Sequence, residues 1–373
     1  MWILLPVLLF RRLFHGTSLD QESAGFATDS PRVSIVVPAR NEARNIEACV
    51  RSMLESSYPS FEILVVDDGS TDGTREIAAR LASDDSRVRV IASEPLPDGW
   101  FGQQWALLVG TRHVSGEIFC FADADTRHGP ELLARSVNAV LRRDADLLTV
   151  SCRQLLGSHW ERIVQPQVLM ILAVRYGGTE DVTQAKHERG KMAGGPCIFV
   201  RRSAYEAVGG HAVAKGYIAT DVMLARGFFR HGKSVAMTYA GAHATVRMYQ
   251  SLREMVAGWS KNIILATRIS AGRVGAADAL KTVLLFGVPL FQILPVSAQA
   301  IGILGKSDLL GLWGVAASFV VIYWWAKVYR VMEQPLWYAF LSPIGAVVLL
   351  YILTKSVMRG RRVVWSGREY VSR

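Results

Sequence analysis

The stretch ILVVDDGSTDGT, residues 63–74, places two aspartates, Asp67 and Asp68, directly after an apolar run and just before a glycine. Adjacent carboxylates repel each other, so an ionised pair needs either water or a positively charged partner. The polar residues after them are typical of a turn that caps a helix beginning near Gly73. We therefore predict a strand, a turn and a helix here, with Asp67 and Asp68 accepting hydrogen bonds from a polar ligand.

Strand-like and helix-like segments alternate on either side of this stretch. The strand-like runs are short, apolar and rich in valine and isoleucine, and the segments between them have helical character. Alternation of this kind predicts an α/β fold in which a mostly parallel sheet is covered by helices on both faces. The predicted strands are 33–39, 62–68, 88–92, 117–125, 145–151 and 196–201, and the first predicted helices are 42–56, 73–82 and 103–113.

The last third of the chain is strongly apolar. Of the 373 residues 50% are hydrophobic and the mean hydropathy is +0.22, which is high for a wholly soluble enzyme. Segments 280–304, 309–332 and 336–358 are each long enough to cross a bilayer. The first contains Pro289 and Pro295, and three crossings would leave a basic tail outside. We therefore expect a re-entrant or interfacial hairpin followed by two true crossings.

Both ends of the chain also suit a membrane protein. Residues 1–14 form an apolar run too short to span a bilayer, and they are predicted to be an anchor or an interfacial helix. Residues 359–373 form a basic tail on a chain whose formal net charge is +10. Such a tail fits the anionic cytoplasmic leaflet, with a merely solvated tail as the alternative, and no nucleic-acid-binding module accompanies it. The four cysteines lack metal-ligand spacing and are predicted to be buried free thiols.

A second acidic pair follows another predicted strand in FADADTR, residues 121–127. Asp123 and Asp125 are separated by one residue, so in an extended backbone their side chains point to the same side. Carboxylate oxygens of this kind suit Mg²⁺ or Mn²⁺, which can in turn bridge diphosphate oxygens. Any acidic loop can contain such a pair, but ligands of open α/β sheets lie beyond the carboxyl ends of strands, where both acidic clusters are predicted.

Three motifs in order carry a family resemblance: VSIVVPARNEARNI, VVDDGSTDGT and FADADT. Together they resemble the nucleotide-binding half of family 2 glycosyltransferases, which are inverting enzymes with the GT-A fold. The resemblance covers roughly residues 32–269. It implies a mixed, mostly parallel sheet in a catalytic domain at 31–270, with membrane segments at 280–358.

A narrower likeness is carried by PLPDGWFGQQWALLVG, MYQSLREMVAGWSKN and VVWSGREY. These segments are similar to membrane-bound members that glycosylate lipids, such as the hopanoid-associated and carotenoid-glycosylating enzymes. The likeness implies a nucleotide-sugar donor, with a UDP-sugar favoured, and a hydroxyl of a membrane lipid as acceptor. It also implies a multi-pass membrane protein whose catalytic domain lies on the cytoplasmic side.

The resemblance assigns the donor-binding residues one by one. Pro38 and Ala39 would shape the loop around the nucleotide, and Glu42 falls where the family has an acidic residue near it. The alternative for Glu42 is a capping glutamate paired with neighbouring arginines. Asp68 matches the family's uracil-binding carboxylate, and Asp67 would support it or share the contact.

The same resemblance assigns the chemistry. Asp123 would approach the ribose and the metal, and Asp125 would be the direct ligand of Mg²⁺ or Mn²⁺. Asp221, in GYIATDVMLARGF, matches the acidic residue at a helix start that removes the acceptor proton. The alternative for Asp221 is a simple helix cap, because an acidic residue favours that position anyway.

The chain departs from the family pattern in two places. A Gln/Arg-x-x-Arg-Trp segment normally binds pyrophosphate or acceptor, but here Glu254 follows Arg253 where tryptophan is expected. Arg253 is retained as a donor-binding candidate, with a basic amphipathic helix on the membrane surface as the alternative. Related lipid-directed members have a lysine near Gln103 or Gln104, and this chain has none there.

Three alternatives to glycosylation of a lipid hydroxyl stay open. One is processive polysaccharide synthesis, although few membrane segments follow the predicted domain and a translocating channel would need more. The acceptor could be a polyprenyl phosphate, whose phosphate oxygen needs no general base, so loss of Asp221 would then matter less. The chain could also be a non-catalytic membrane scaffold with the same fold, although the paired aspartates argue against it.

Overall fold

The computed structural model describes residues 16–27, 30–271, 276–365 and 367–372. The predicted amino-terminal anchor, residues 1–14, lies outside the described residues.

The described chain divides into two compact units. The sheet unit contains the predicted nucleotide-binding motifs, and the helical unit contains the apolar segments near the carboxyl end. Three segments differ from the predicted domain boundaries: 156–177 and 249–270 belong with the helical unit, and 362–372 belongs with the sheet unit. The sheet unit thus comprises residues 16–155, 178–248 and 362–372, and the helical unit comprises 156–177 and 249–361.

A seven-stranded sheet forms the centre of the sheet unit, in the order β3-β2-β1-β4-β8-β6-β9. Neighbouring strands run parallel except at β8, which is antiparallel to both β4 and β6. The prediction of a mixed, mostly parallel sheet is therefore confirmed. The strands of this sheet are β1 (Val33–Ala39), β2 (Phe61–Asp67), β3 (Val88–Ala92), β4 (Ile118–Ala122), β6 (Leu147–Ser151), β8 (Cys197–Arg201) and β9 (Val235–Tyr239).

Smaller strands complete the sheet unit. A three-stranded sheet in the order β5-β10-β7 begins directly after the second acidic pair, and a two-stranded hairpin, β11-β12, closes the described chain. These strands are β5 (Thr126–His128), β7 (Arg153–Gln154), β10 (Ala244–Val246), β11 (Arg362–Trp365) and β12 (Arg368–Val371). Residues expected to be a basic tail therefore form the hairpin.

The helices are named in chain order across both units. They are α1 (Ile46–Leu54), α2 (Thr74–Asp84), α3 (Gly102–Thr111), α4 (Leu132–Arg142), α5 (His159–Tyr176), α6 (Thr179–Gln184), α7 (Arg202–Ala207), α8 (Thr220–Arg230), α9 (Leu252–Ala271), α10 (Ala276–Leu304), α11 (Asp308–Val331) and α12 (Ser342–Arg359).

Apolar side chains cover both faces of the main sheet. Successive residues of a strand point to opposite faces, and β1 accordingly supplies Ile35 to one buried cluster and Val36 to the other. Helices α1, α2 and α4 pack on the first face, while α3 and α8 pack on the second. The run VSIVVPA is apolar on both sides for this reason, and the prediction of helices on both faces is confirmed.

The helical unit contains three helices that are long and apolar enough to cross a membrane: Leu285–Leu304, Asp308–Val331 and Leu336–Arg359. The prediction that the first apolar segment forms a hairpin is wrong, since α10 is one continuous helix with Pro289 and Pro295 inside it. A proline removes a single helical hydrogen bond, and no glycine or polar turn separates these two, so the helix continues through both.

Glycines let α10 and α11 pack closely within the helical unit. A Cβ added at Gly314 would lie 2.5 Å from the backbone nitrogen of Gln299, and one added at Gly302 would lie 2.4 Å from that of Gly311. Close backbone approach at small residues is typical of helix pairs in membranes.

Candidate functional site

The sheet brings both acidic clusters to one edge. Asp67 is the last residue of β2 and pairs with Ala39 at the end of β1, and the Asp68 amide donates to the Ala39 carbonyl at 2.8 Å. Asp123 and Asp125 follow β4, which runs parallel to β1 on its other side. The carboxyl ends of all three strands therefore meet at this edge, as predicted.

The two adjacent aspartates of the first motif have different partners. Asp67 Oδ1 accepts a hydrogen bond of 3.2 Å from the Ser70 amide, which closes the turn. Asp68 Oδ2 accepts one of 2.6 Å from Arg368 Nη1, on the carboxyl-terminal hairpin. Arg368 supplies the positive partner that the adjacent carboxylates require.

The turn after these aspartates is held by Arg40. Its guanidinium donates to the backbone carbonyls of Asp68 and Gly69. Asp72 accepts hydrogen bonds from the Thr74 and Ala43 amides at 3.1 Å each, so it satisfies the first N–H of α2 and ties the turn to the loop after β1.

Asp123 lies in the most acidic part of the site. Burial, together with repulsion from Asp125, Asp221 and Glu42, raises the pKa of its carboxyl to about 8. Gln103 Nε2 donates to Asp123 Oδ1 at 2.8 Å and favours the ionised form. Acidic side chains from the loops after β1 and β4 and from the start of α8 therefore face one region, which would attract a cation.

Asp125 fits the role of a metal ligand. Its Oδ1 atom is buried and has no hydrogen-bond partner among the described residues, and burial raises the pKa of its carboxyl. Within the described ranges, no three His, Cys, Asp or Glu side chains are grouped as a metal site by themselves. Mg²⁺ is usually held by one or two carboxylates together with substrate phosphates and water, so an unpartnered carboxylate oxygen is the expected protein contribution.

Asp221 lies at the start of α8, as predicted. Its Oδ2 accepts a hydrogen bond from the Gly195 amide and its Oδ1 one from the Val222 amide, each at 2.9 Å. A Cβ added at Gly195 would lie 3.5 Å from Asp221 Oδ2 and 3.6 Å from Asp123 Oδ2. The two carboxylates thus flank one small space, and burial raises the pKa of Asp221.

Glu42 also faces the acidic region. Its Oε2 accepts a hydrogen bond of 2.8 Å from Asn45 Nδ2. Burial raises the pKa of Glu42, and repulsion from Asp125 raises it further. Helix α1 begins only at Ile46, so Glu42 lies ahead of it in the loop that follows β1.

Gln103 and Gln104 contact residues of the site, at the position where the family resemblance implies a lysine. Gln103 contacts Asp123, whereas Gln104 Nε2 donates to Thr220 Oγ1 and the Ala214 carbonyl at 3.0 Å each. Gln104 therefore anchors the loop that presents Asp221. Sequence reasoning noted the missing lysine but assigned neither glutamine a role.

Arg253 lies on α9 in the helical unit, where its side chain is exposed. Glu254 occupies the position of the expected tryptophan and caps the start of α9. Its Oε2 accepts a hydrogen bond from the Gln250 amide at 2.9 Å, and its own amide donates one to Ser251 Oγ at 3.2 Å. Trp259 is buried and donates to Gln165 Oε1 at 2.9 Å. Donor binding by Arg253 stays a prediction.

Comparison with known proteins identifies the domain that carries this site. Residues 34–209 match the family model described as Glycosyl transferase family 2. The chain contains a family 2 glycosyltransferase domain. This glycosyltransferase domain holds Asp67, Asp68, Asp123 and Asp125, whereas Asp221 lies beyond the matched residues.

Two curated relatives resemble the glycosyltransferase domain. The 4,4'-diaponeurosporenoate glycosyltransferase of Staphylococcus haemolyticus is 25% identical over 252 residues, which are 66% of this chain and 64% of that protein. Glycosyltransferase AglE of Haloferax volcanii is 33% identical over 120 residues, or 32% of this chain and 38% of that protein. Each match therefore spans less than two thirds of the relative's length.

A solved structure supports the fold over nearly the whole chain. The mannosyltransferase PcManGT from Pyrobaculum calidifontis, in complex with GDP-Man and Mn²⁺, superposes with a TM-score of 0.53 at 19% identity. The match covers 96% of this chain and 94% of that one. It confirms the GT-A fold that the sequence motifs predict for the glycosyltransferase domain.

Proposed function

We propose that the protein transfers a sugar from a nucleotide-diphosphate donor to a hydroxyl of a membrane lipid, with inversion at the anomeric carbon. The observation that carries the proposal is the small space flanked by Asp123 Oδ2 and Asp221 Oδ2 at the carboxyl edge of the sheet. On this proposal Asp123 would serve the donor side, and Asp221, whose carboxylate is held by two backbone amides, would act on the acceptor. The name of the diaponeurosporenoate glycosyltransferase supports an apolar, carotenoid-type acceptor, whereas a hopanoid acceptor and the hydroxyl group rest on the sequence resemblance.

The donor would bind along the loops after β1, β2 and β4. Pro38, Ala39 and Glu42 would shape the loop after β1, and Asp68 would accept a hydrogen bond from the nucleobase. Asp67 supports that carboxylate by closing the turn through Ser70. An ionised carboxylate accepts the imide N–H of uracil, so a UDP-sugar is favoured.

Asp125, assisted by Asp123, would hold a divalent cation, Mg²⁺ or Mn²⁺. When bound, such an ion neutralises charge on the departing diphosphate. The unpartnered Oδ1 atom of Asp125 supports this assignment, and the mannosyltransferase of similar fold contains Mn²⁺. Arg253 is proposed as a further cation for the diphosphate.

Asp221 would act as the general base. Its carboxylate would take the proton from the acceptor hydroxyl as the hydroxyl oxygen attacks the anomeric carbon and the bond to the diphosphate oxygen breaks. A buried carboxyl with a raised pKa is a stronger base than an exposed aspartate, which suits proton transfer near neutral pH. The amides of Gly195 and Val222 fix the direction of the carboxylate.

The membrane part would bring the acceptor within reach. Three helices of the helical unit are long and apolar enough to span a bilayer. We propose a multi-pass protein with the sheet unit on the cytoplasmic side, where nucleotide sugars are made and where basic residues after α12 meet anionic lipids.

The test is sugar transfer by the detergent-purified full chain with Mn²⁺ or Mg²⁺. A panel of radiolabelled UDP- and GDP-sugars is incubated with a total lipid extract, and label entering the organic phase is measured. We expect Asp221→Asn to lower transfer by about 100-fold or more, which is the usual effect of losing a general base. Asp125→Asn should also lower transfer strongly, because it would remove a ligand of the divalent cation. Asp84→Asn, an exposed carboxylate at the end of α2, is the matched control and should retain full transfer.

Three results would change the proposal. Transfer that survives Asp221→Asn but not Asp125→Asn would favour a polyprenyl-phosphate acceptor, whose oxygen needs no base. Transfer that is unaffected by both substitutions would remove the proposed roles of these carboxylates. Folded protein that transfers no sugar from any donor would point to a scaffold of the same fold.

A further inference from the structure

The carboxyl-terminal hairpin belongs to the sheet unit although it follows the last apolar helix. Two residues separate the end of α12 at Arg359 from the start of β11 at Arg362. Strand β11 pairs antiparallel with β12, so that Trp365 lies opposite Arg368. Val363 and Ser372 are only 1% exposed. The hairpin is thus packed against the domain, and a solvated tail would not bury these residues.

The hairpin packs on the start of α3 and on the loop before Asp221. The ring of Tyr370 stacks on that of Phe101 with centroids 4.5 Å apart, and the Gly102 amide donates to Tyr370 Oη at 3.4 Å. The Ile218 amide donates to Ser372 Oγ at 3.3 Å. These contacts involve neighbours of Gln103, which holds Asp123, and of Asp221 itself.

Arg368 makes the one charged contact between the hairpin's described residues and the acidic edge. Its Nη1 lies 2.6 Å from Asp68 Oδ2. The Asp68 side chain is 8% exposed and that of Arg368 is 29% exposed, so water screens the pair only partly. No described residue donates a hydrogen bond to Oδ1 of Asp68, which leaves that oxygen for a ligand.

We propose that Arg368 is a positioning residue for the nucleotide donor: it holds Asp68 through Oδ2 so that Oδ1 faces the nucleobase. The inference rests on the proposed function, because it assigns Asp68 to the base of the donor. A carboxylate fixed by a charge-assisted hydrogen bond loses little rotational freedom when a ligand binds. The carboxyl-terminal hairpin is then one wall of the donor site.

Base selectivity distinguishes this role from simple bracing of the fold. Uracil offers an imide N–H to a fixed carboxylate oxygen, whereas cytosine presents a ring nitrogen that is an acceptor at the same position. A correctly held Asp68 should therefore bind UDP more tightly than CDP. Loss of Arg368 should reduce that preference, which a merely structural contact would leave unchanged.

The experiment measures UDP and CDP binding to the full chain in detergent with Mn²⁺ by isothermal titration calorimetry. The variants are Arg368→Gln, Arg368→Lys and Asp68→Asn, and the matched control is Arg362→Gln, an exposed arginine of the same hairpin. Arg368→Gln should weaken UDP binding by about 10-fold, as expected for one lost hydrogen bond to a charged group. It should also narrow the difference between UDP and CDP.

Two further measurements complete the test. Arg368→Lys keeps the charge but not the planar fork, and should give an intermediate affinity. In the double variant with Asp68→Asn, the second change should add little to the first, since the two residues act as one unit. Thermal unfolding of each variant checks that the fold is intact, and Arg362→Gln should match the unmodified chain in every measurement.

Several outcomes would overturn the proposal. Weaker UDP binding in Asp68→Asn but not in Arg368→Gln would leave Arg368 as a brace for the hairpin. Tighter binding in Arg368→Gln would mean that Arg368 competes with the donor for Asp68. If neither substitution changes UDP affinity while Asp125→Asn abolishes sugar transfer, the assignment of Asp68 to the base fails and the proposed transferase activity stands.

Discussion

Gly102, the first residue of helix α3, lies close to the side chains of both Asp68 and Arg368. A Cβ added there would lie 2.2 Å from Asp68 Oδ2 and 2.8 Å from Arg368 Nη1. Real Cβ atoms do not approach oxygen this closely, so any side chain at this position must displace the carboxylate or the guanidinium. Glycine is required at position 102 because no side chain fits there, and not because the backbone needs a positive φ.

Gly102→Ala is therefore expected to disturb the donor site more than the fold. The added methyl group would push Asp68 away from Arg368, and we expect UDP affinity to fall by about 10-fold or more, the effect of one misplaced charge-assisted hydrogen bond. Calorimetric titration of UDP with the full chain measures it.

Gly311→Ala on α11 is the matched control, because no atom lies within 4 Å of its added Cβ. It should bind UDP normally. Equal UDP affinity in both variants would show that the contact at Gly102 relaxes without consequence.

At the scale of elements, the segment before β1 is tied to α4 by charge. Glu22 is 4% exposed and accepts a hydrogen bond of 2.8 Å from Arg142 Nε, with Arg143 Nη2 at 3.3 Å from its other oxygen. The hydrogen bond from Arg142 lowers the pKa of Glu22 below its ordinary value, against the effect of burial. Asn138 of α4 donates to the Ser23 carbonyl at 2.8 Å and adds a second tie.

The pKa of Glu22 is lower in the folded protein than in the unfolded chain, where it is about 4.3. The ion pair with Arg142 therefore stabilises the fold fully above pH 4.3, and this stabilisation is lost as the pH falls through the pKa of Glu22 in the folded protein. Glu22→Gln should cost about 1–2 kcal/mol near pH 7, less than a fully buried pair because Arg142 is mostly exposed. Thermal unfolding in detergent between pH 3.5 and pH 7.5 measures the difference, which should shrink toward the acid end.

The control for this prediction is Glu47→Gln. Its partner is Arg51 on the same helix, and both side chains are about half exposed. Such a pair contributes little, so the unfolding temperature should hardly change at any pH. A Glu22→Gln protein as stable as this control at pH 7 would contradict the prediction.

The strands of the main sheet show which features the local sequence predicts and which it does not. Strands β1, β2 and β4 were predictable because each is an apolar run followed by turn residues, and their shared edge followed from parallel pairing. The reversed direction of β8 leaves no mark on the run CIFVR, since strand direction depends on the path of the connecting chain. The ion pair between Arg368 and Asp68 could not be predicted, because the two residues are 300 positions apart and no sequence periodicity relates them.

At the scale of the whole molecule, the path of the chain limits the number of membrane crossings. The chain leaves the sheet unit after Met248 and re-enters it at Arg362. Both points lie on one compact unit, so they must be on the same side of any bilayer. In the multi-pass protein that we propose, the segment between them would therefore cross the membrane an even number of times, although three of its helices are each long and apolar enough to span it.

We expect two crossings, by α11 and α12, with α10 failing to cross. Variants with one introduced cysteine, at Ser83 in the sheet unit, Ser307 before α11 or Val364 in the hairpin, should then react with a membrane-impermeant maleimide from the same side of sealed vesicles. Gln334→Cys, between α11 and α12, should react only from the opposite side. The four native cysteines are buried and provide a low background.

Labelling of Ser83→Cys and Val364→Cys from opposite sides would contradict an even number of crossings. A different result would keep an even number of membrane crossings but assign them to α10 and α11. In that result Ser307→Cys is labelled from the side opposite to Ser83→Cys, and Gln334→Cys is labelled from the same side as Ser83→Cys.

The position of the hairpin also sets an order of events during synthesis. A ribosome makes Asp68 early and Arg368 only after every apolar helix, so a nascent chain halted among those helices carries all the proposed carboxylates and lacks the arginine that holds one of them. On our assignment Arg368 completes the donor site, and it is synthesised only after the apolar helices have left the ribosome and can insert into the membrane. A partly made enzyme would then bind nucleotide sugar poorly until it has reached the membrane that holds its acceptor.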